Sequence, residues 1–373
     1  MRATIVGAGA IAHAHASALA ELAEHDGAPA VETTHVVDLD LDRARAFADQ
    51  HGIAGVATDV EALLAAGDVD VLHICTPPSA HFATAAAALR AGVHVVLEKP
   101  PVLSLAQLDE LVALEAASSA QLTVIVQHRF GHGAVQLRSL LADGALGRPL
   151  VAVCNTLWFR DAEYFAAPWR GRWDTEGGGP TMGHGIHQFD LLLSILGPWT
   201  DVTAVAARQA RDTDTEDVSM ALVRFESGAM ASIVNSVVSP SQVSEIRIDT
   251  EAATVALTHL YGYTDEDWTF TPAPGREEAA ALWRPDPTAL PSGHLAQLLP
   301  TYRALAQGAP LPVTSADARR TLELAAAIYR SAFTGRPVAA GEIGADDAFA
   351  RSMDGTGAPW GPAWAPVSAG VPG

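Results

Sequence analysis

The sequence predicts an α/β fold in two parts: an N-terminal doubly wound parallel sheet, then a C-terminal α/β domain built on a mainly antiparallel, open sheet. Apolar, β-branched runs alternate with helical periods up to residue 126, the pattern of strands buried on both faces between helices. A glycine-rich turn directly follows the first run. Past residue 127 strand-like segments come in succession, with Gly228 between two of them as a hairpin signal. A chain of 373 residues that is 49% apolar and 18% charged is long and apolar enough to bury a sizeable core.

In order, Thr4 to Val6 reads as a strand and the Ala/Leu-rich stretch to Glu24 as a helix. Thr33 to Val37 is strand, Leu41 to His51 helix, and Val60 to Ala65 a short helix capped by Asp59. Val69 to Cys75 is strand, His81 to Ala91 a helix stopped by Gly92, and Val93 to Leu97 strand. Ser104 with Gln107 forms a capping box for a helix to about Ser118, and Leu122 to Val126 closes the first domain as a strand. The second domain, 127–340, is expected to hold helices at Val135 to Ala142, Ile186 to Leu196 and Ala316 to Phe333. Its strands are expected at Leu150 to Trp158, Val218 to Phe225, Ala229 to Val237 and Glu245 to Asp249. Residues 341–373, rich in Pro, Gly and Trp from Gly355 onward, are expected to be an extended tail.

Composition excludes several classes of function. With 23 basic against 43 acidic residues, the net charge of −20 repels phosphate backbones and anionic lipid, so no nucleic-acid or membrane partner is expected. No apolar run approaches the ~18 residues of a membrane span and nothing at the start resembles a signal peptide, so the expected location is the cytoplasm. Cys75 and Cys154 are too few for a disulfide framework or a cysteine-built zinc site. Of the 23 basic residues, 22 are Arg and one, Lys99, is Lys. Where Arg has replaced Lys so thoroughly, Lys99 marks a position that needs a primary amine; the competing reading is a surface pair with Glu98.

Gly7, Gly9 and Ala12 fill the G-x-G-x-x-[G/A] template between a strand and a helix. Gly7 permits the turn, Gly9 lets a pyrophosphate approach, and the amides at Ala10 and Ile11 open the helix. This answers how an acidic protein would hold an anion; a tight turn in a non-binding domain is the alternative. Asp38 ends the second strand 26 residues beyond Ala12, against the usual ~20, the excess lying in the turn-like Asp26 to Pro29. A carboxylate there accepts ribose hydroxyls and repels a 2′-phosphate, so NAD is expected in preference to NADP. Thr76-Pro77-Pro78 and Glu98-Lys99-Pro100-Pro101 follow two later strands at their carboxyl ends, where open α/β sheets bind ligands.

In the second half, Gly177-Gly178-Gly179 lets backbone approach a ligand, and His187 begins the following helix. His184, His187 and Asp190 raise a metal site, but helical spacing turns Asp190 away from the two imidazoles, and no metal is expected. Trp158, Arg160, Tyr164, Trp169, Arg170, Arg172 and Trp173 suit a sugar ring or an acidic sugar, although interleaved Asp161, Glu163, Asp174 and Glu176 explain the charge equally as local ion pairs. Gln127 and Arg129 are expected to line the domain interface.

Gly7 to Ala12, Asp38, Ile74 to Pro78 with His81, Glu98-Lys99-Pro100, Trp169-Arg170-Gly171 and Gly177 to Asp190 together resemble the Gfo/Idh/MocA oxidoreductases, in consistent order over about 1–340. The resemblance implies a Rossmann domain beside an α/β domain whose open sheet mediates oligomerisation, hence a homodimer or homotetramer. It implies NAD(P)-dependent hydride transfer on sugars, polyols or related secondary alcohols, with catalysis at Lys99 and His187. His81 and Gln127 join the expected cofactor site, and Arg129, Trp169, Arg170, His184 and Asp190 the substrate site. One departure stands out: four residues before the histidine many family dehydrogenases carry Asp, and related members Asn, where this chain has Gly183. His184 is the neighbouring candidate to replace that carboxylate.

Chemically, oxidation of a secondary alcohol needs a base near neutral pKa, which His187 fits, and a compact cation on the same oxygen, which Lys99 fits. A histidine at a helix start also serves as a cap or a core group. Two alternatives remain at this level: a redox-assisted lyase or glycoside hydrolase that recycles its NAD, and a non-catalytic NAD-binding regulator.

Overall fold

A computed structural model describes residues 1–259 and 261–360. The first domain is a six-stranded sheet of β1 (Arg2–Val6), β2 (Glu32–Val37), β3 (Gly55–Ala57), β4 (Val71–Ile74), β5 (His94–Leu97) and β6 (Leu122–Val124). Their order is β3-β2-β1-β4-β5-β6, all parallel. The connecting helices are α1 (Ala10–Glu24), α2 (Leu41–His51), α3 (Val60–Ala66), α4 (Pro78–Arg90) and α5 (Leu105–Ala116). Burial on both faces explains the unbroken apolar reading of β1 and β4, whose residues Ala3, Ile5, Val71, Leu72 and Ile74 are all fully buried. Strand order reverses between β1 and β4, so the loops after Val6 and Ile74 diverge there and open a crevice.

The second domain is an eight-stranded sheet of β7 (Pro149–Phe159), β8 (Trp199–Ala207), β9 (Val218–Phe225), β10 (Met230–Ser236), β11 (Val238–Thr250), β12 (Ala253–Leu257), β13 (Trp268–Pro272) and β14 (Val338–Ala339). It runs β13-β12-β11-β7-β10-β9-β8-β14, and only the β7–β10 pair is parallel. The helices are α6 (His132–Ala142), α7 (Ile186–Leu196), α8 (His294–Gln307), α9 (Ser315–Thr334) and α10 (Ala348–Arg351). All of α7 except Ser194 is buried, between β7, α6 and α9, so this helix is a fixed platform for whatever its first turn carries. On the opposite face of the sheet no described residue covers Val205, Met220, Leu222 and Met230, each at least half exposed, while alternate residues such as Ala204, Ala221 and Val223 are buried.

Two expectations change. The sequence reading places no helix at 294–307, and Pro300 lies inside that segment. α8 nevertheless forms and returns to pack on α1, and Gln297 pairs with Val124 O and Val126 N at 2.8 Å each, finishing β6. The first domain is thus closed by residues from far beyond 126. Residues 341–360 are not an extended tail: Ile343, Phe349, Ala350 and Met353 are buried, and α10 packs on α5 and α9. The remainder of that expected tail lies outside the described residues.

Candidate active site

A cavity of about 780 Å³ runs from the crevice between β1 and β4 into the second domain. At one end lies the glycine turn. Gly7 has φ +94°, and a Cβ there would meet Cys75 O at 2.8 Å, so only glycine fits between the ends of β1 and β4. A Cβ at Gly9 would meet nothing within 4 Å; the space above it belongs to the cavity. α1 begins at Gly9 with no side chain capping it, so its first amides are left for a ligand. Asp38, at the end of β2, accepts Ala8 N at 2.8 Å and Asp40 N at 2.9 Å, and Arg43 clamps it through Nε at 3.0 Å and Nη2 at 2.5 Å. Burial alone would raise its pKa, but Arg43 and the two amides outweigh that and hold it below the ordinary carboxylate value. These groups fit a dinucleotide: an uncapped helix start for the pyrophosphate and a fixed carboxylate for the ribose, with Arg43 as the neighbour that a ribose hydroxyl must share or displace. Arg43 was not anticipated, since its pairing depends on α2 folding back over β2.

Thr76, Pro77, Glu98, Lys99 and Gln127 also line the cavity, as do Ala10 and Ile11. His81 does not. Its ring sits behind the wall, with Nε2 2.8 Å from Thr76 O and Nδ1 3.0 Å from Pro100 O, where it ties the two proline-bearing loops together. It shapes the wall of the cavity without lining it. Glu98 accepts from His15 Nε2 at 3.0 Å and His294 Nε2 at 3.2 Å, and His15 is held in turn by His73. Burial opposes its ionisation, but the two imidazoles keep Glu98 a carboxylate, well below the usual range. His15, Glu98 and His294 bring three potential ligand atoms within 4.8 Å, a cluster that sequence spacing could not reveal because α8 was not foreseen.

Lys99 Nζ donates to Gly183 O at 3.1 Å, so the chain's one lysine crosses from the first domain to the wide helical turn Thr181–Gly185 just before α7. Part of its surface opens on the cavity, yet desolvation lowers its pKa below the ordinary ammonium value despite the nearby Glu98. His187, on the first turn of α7, lines the same cavity between His128 at 4.9 Å and Tyr261 at 5.4 Å, ring centroid to centroid. Neither of its ring nitrogens has a hydrogen-bond partner among the described residues. That rules against a capping role. Burial, and then the charge of Lys99, push its pKa well below that of a free imidazole, so it is neutral and able to accept a proton.

On the remaining walls Trp169, Arg170 and His184 are present as expected, joined by Tyr164, Trp158 and Glu176. Tyr164 OH lies 3.1 Å from His184 Nε2, and Arg170 stacks on the faces of Tyr164 and Trp169. His184 is neutral, its pKa pushed well down by burial, and a neutral imidazole cannot replace a carboxylate. The interleaved charges resolve unequally: Arg172 pairs with Asp174 and Arg170 with Glu176, while Arg160 has no carboxylate within 4.0 Å among the described residues and lies over Trp158 and Tyr164.

Arg129 and Asp190 are not brought to this cavity. They bind each other through two hydrogen bonds of 2.6 and 2.7 Å, Thr321 adds a third to Asp190, and Arg129 lines a separate cleft on the far side of α7. The family resemblance put Asp190 in the substrate site, but the helix turns it away from His187, as its spacing implies, and toward Thr321 on α9. The glycine triplet is also not a ligand contact. A Cβ at Gly178 would meet Tyr329 Oη at 2.2 Å and one at Gly179 Glu216 O at 1.9 Å, so these glycines admit neighbouring protein.

Residues 1–128 match the family model described as oxidoreductase family, NAD-binding Rossmann fold, and residues 134–256 match the Gfo/Idh/MocA C-terminal domain. The UDP-N-acetylglucosamine 3-dehydrogenase of Acidithiobacillus ferrooxidans is 30% identical over 251 residues, 66% of this chain and 71% of that protein. The chain belongs to the Gfo/Idh/MocA oxidoreductase family. The D-glucoside 3-dehydrogenase of Escherichia coli is 32% identical over 201 residues, where the chain spans about half of the relative's length, 54%. Among solved structures, the WlbA dehydrogenase of Bordetella pertussis in complex with NADH and UDP-GlcNAcA is 27% identical, covers 91% of this chain and 98% of its own, and has a TM-score of 0.78. A levoglucosan dehydrogenase complexed with NADH shares the fold with a TM-score of 0.80 at 20% identity. Family membership accounts for the dinucleotide-type turn and for the pairing of a Rossmann sheet with an open second sheet.

Proposed function

We propose that this chain is an NAD-dependent dehydrogenase that moves a hydride between nicotinamide and a secondary alcohol or carbonyl of a sugar, polyol or related compound. One observation carries the reading: Lys99 and His187, from different domains, line one cavity with the glycine turn and Asp38. The dinucleotide, when bound, supplies the hydride acceptor. The protein's own part is to hold the alcohol oxygen and move its proton. Lys99 Nζ, already oriented by Gly183 O, stabilises negative charge developing on that oxygen, and His187 takes the hydroxyl proton. Arg160 and Arg170 stack on Trp158, Tyr164 and Trp169 and so give this wall a cationic character, and Arg160, which has no carboxylate within 4.0 Å among the described residues, suits an acidic substituent of a sugar. The B. pertussis neighbour, crystallised with an acidic nucleotide sugar, supports that choice of substrate class. The test is NADH formation from NAD and a panel of neutral and acidic sugars and polyols; no turnover across the panel, with NADH still bound, would refute the reading.

A pH signature follows. His187 is active as a base only above its pKa, which lies below the ordinary 6.5, and Lys99 is active as a cation only below its pKa, which lies below the ordinary 10.5. The kcat/KM profile for alcohol oxidation is therefore expected to rise with an acid limb below pH 6.5 and to fall with an alkaline limb before pH 10.5. An acid limb above pH 7 would contradict a desolvated His187.

We further propose that the uncovered face of the second sheet is closed by a second copy of the chain in a homo-oligomer. Val205 and Met220 sit directly opposite on β8 and β9, with Leu222 and Met230 beside them, all facing outward. Burying each large side chain contributes roughly 1.5–3 kcal/mol. Met220→Glu with Leu222→Glu is expected to shift the species seen by sedimentation equilibrium to a smaller mass; an unchanged mass would place the interface elsewhere.

A further inference from the structure

Gly183 is the residue whose carbonyl Lys99 holds, and it brings no side chain of its own to the cavity. The space a side chain there would enter is taken: a Cβ on Gly183 would lie 3.3 Å from Glu176 Oε1, and the only other atom near it is Cδ of the same residue. Glu176 arrives from the turn ahead of the glycine triplet, with its own amide bonded to Arg172 O at 3.0 Å. Gly171 N anchors Oε2 at 2.6 Å, whereas among the described residues Oε1 meets only a longer contact of 3.3 Å from Arg170 Nη1. One oxygen is thus fixed and the other retains accepting capacity where the group lines the cavity. The carboxyl is buried, and burial raises its pKa in spite of Gly171, Arg170 and Lys99. A structural anchor for Gly171 alone would not need to face the cavity or to lie on a residue that lacks a side chain.

We propose that Glu176 supplies the carboxylate of this active site, reaching over Gly183 so that Oε1 accepts a hydroxyl of the bound sugar alongside Lys99. This rests on the dehydrogenase reading above for its substrate, but not for its geometry. Lys99 faces three charged groups, Glu98, Arg170 and Glu176, with the neutral rings of His128, His184 and His187 around them. Of the three, Glu176 and Glu98 favour the ammonium and Arg170 opposes it. Gly183 is then compatible with activity because an acid seven residues earlier fills its place.

The chain's single lysine makes the test direct. Protein grown with carbon-13-labelled lysine carries one lysine side chain to titrate by NMR, with no assignment problem. In Glu176→Gln, the pKa of Lys99 is expected to fall by about one unit, the scale on which one nearby charge acts. In the double variant Glu176→Ala with Gly183→Asp, where the space is vacated before a carboxylate is returned to it, most of that fall is expected to be reversed. Gly183→Asp alone, crowding a second carboxylate against Glu176, is expected to raise the Lys99 pKa and serves if Glu176→Gln does not fold. With NAD and methyl β-D-glucopyranoside or D-glucuronate as probes, kcat/KM should drop about 100-fold in Glu176→Gln and recover about tenfold or more in the double variant. A Lys99 titration unmoved by Glu176→Gln, or a double variant that fails to restore it, would overturn the proposal. Lys99 shifts as expected with no turnover in any protein would support the placement of Glu176 and count instead against the dehydrogenase reading.

Discussion

Lys99→Arg is expected to lower kcat/KM by about 100- to 1,000-fold, the usual cost of removing a group that stabilises developing oxyanion charge, while NADH binding persists. Lys99 ends in one compact group whose protons point in several directions; one is spent on Gly183 O at 3.1 Å and others remain for a substrate oxygen. A guanidinium is planar and wider, and the walls it would meet are Glu98, Gly183 and His187. It also cannot give up a proton in the neutral range, whereas desolvation has already lowered the ammonium pKa of Lys99. His187→Ala is expected to cost about 100- to 10,000-fold through loss of the general base. Because neither nitrogen of His187 is hydrogen-bonded to the described protein, truncation breaks no polar contact, and any loss of stability is expected to come from its ring packing on His128 and Tyr261. Activity near that of the parent in either variant, measured with NAD and any substrate the parent oxidises, would remove that residue from the mechanism.

The parts of this site that sequence made legible are those whose meaning is local. Gly7, Gly9 and Asp38 lie on consecutive strand ends, so their spacing alone brings them to one crevice. Lys99 was visible because 22 other basic residues are Arg, a signal of composition and not of structure. The failures all depend on chain segments returning from a distance. Arg129 and Asp190 are separated by 61 residues and neutralise each other, which no helical-spacing argument on α7 alone detects. His81 matched the pattern expected of a cofactor residue, but its partners are two backbone carbonyls behind the loops. The glycine triplet signalled close approach correctly while leaving open what approaches; Tyr329 and Glu216 come from α9 and from the loop ahead of β9. Glu176 was read as one of several interleaved acids, and its distinction from Asp174 is only that the turn buries one and exposes the other. In the fold, alternation of strand and helix set out the first sheet, whereas α8, with Pro300 inside it, is held by α1 and the end of β6, which lie far off in sequence.

Two glycines two residues apart should fail in different ways. Gly7→Ala is expected to weaken both the fold and NADH binding, because Gly7 holds φ +94° and its new methyl would lie 2.8 Å from Cys75 O and 3.1 Å from Thr76 N. Both obstacles are backbone atoms at the end of β4 and cannot rotate aside, and the strained conformation itself costs ~1–3 kcal/mol. Any relief moves Gly7 N off Val37 O, now 2.7 Å away, or Ala8 N off Asp38, so the Asp38 carboxylate and the turn shift together. Gly9→Ala meets no protein atom within 4 Å and has an extended backbone that alanine adopts freely, so its melting temperature should match the parent's. Its methyl projects instead into the space above the uncapped start of α1, where a pyrophosphate must approach the amides. NADH fluorescence titration is therefore expected to show weakened binding in both variants, accompanied by loss of stability only in Gly7→Ala. Parental NADH affinity in Gly9→Ala would mean that the dinucleotide does not lie against this turn, and the assignment of the crevice would have to be abandoned even with Lys99 and His187 in place.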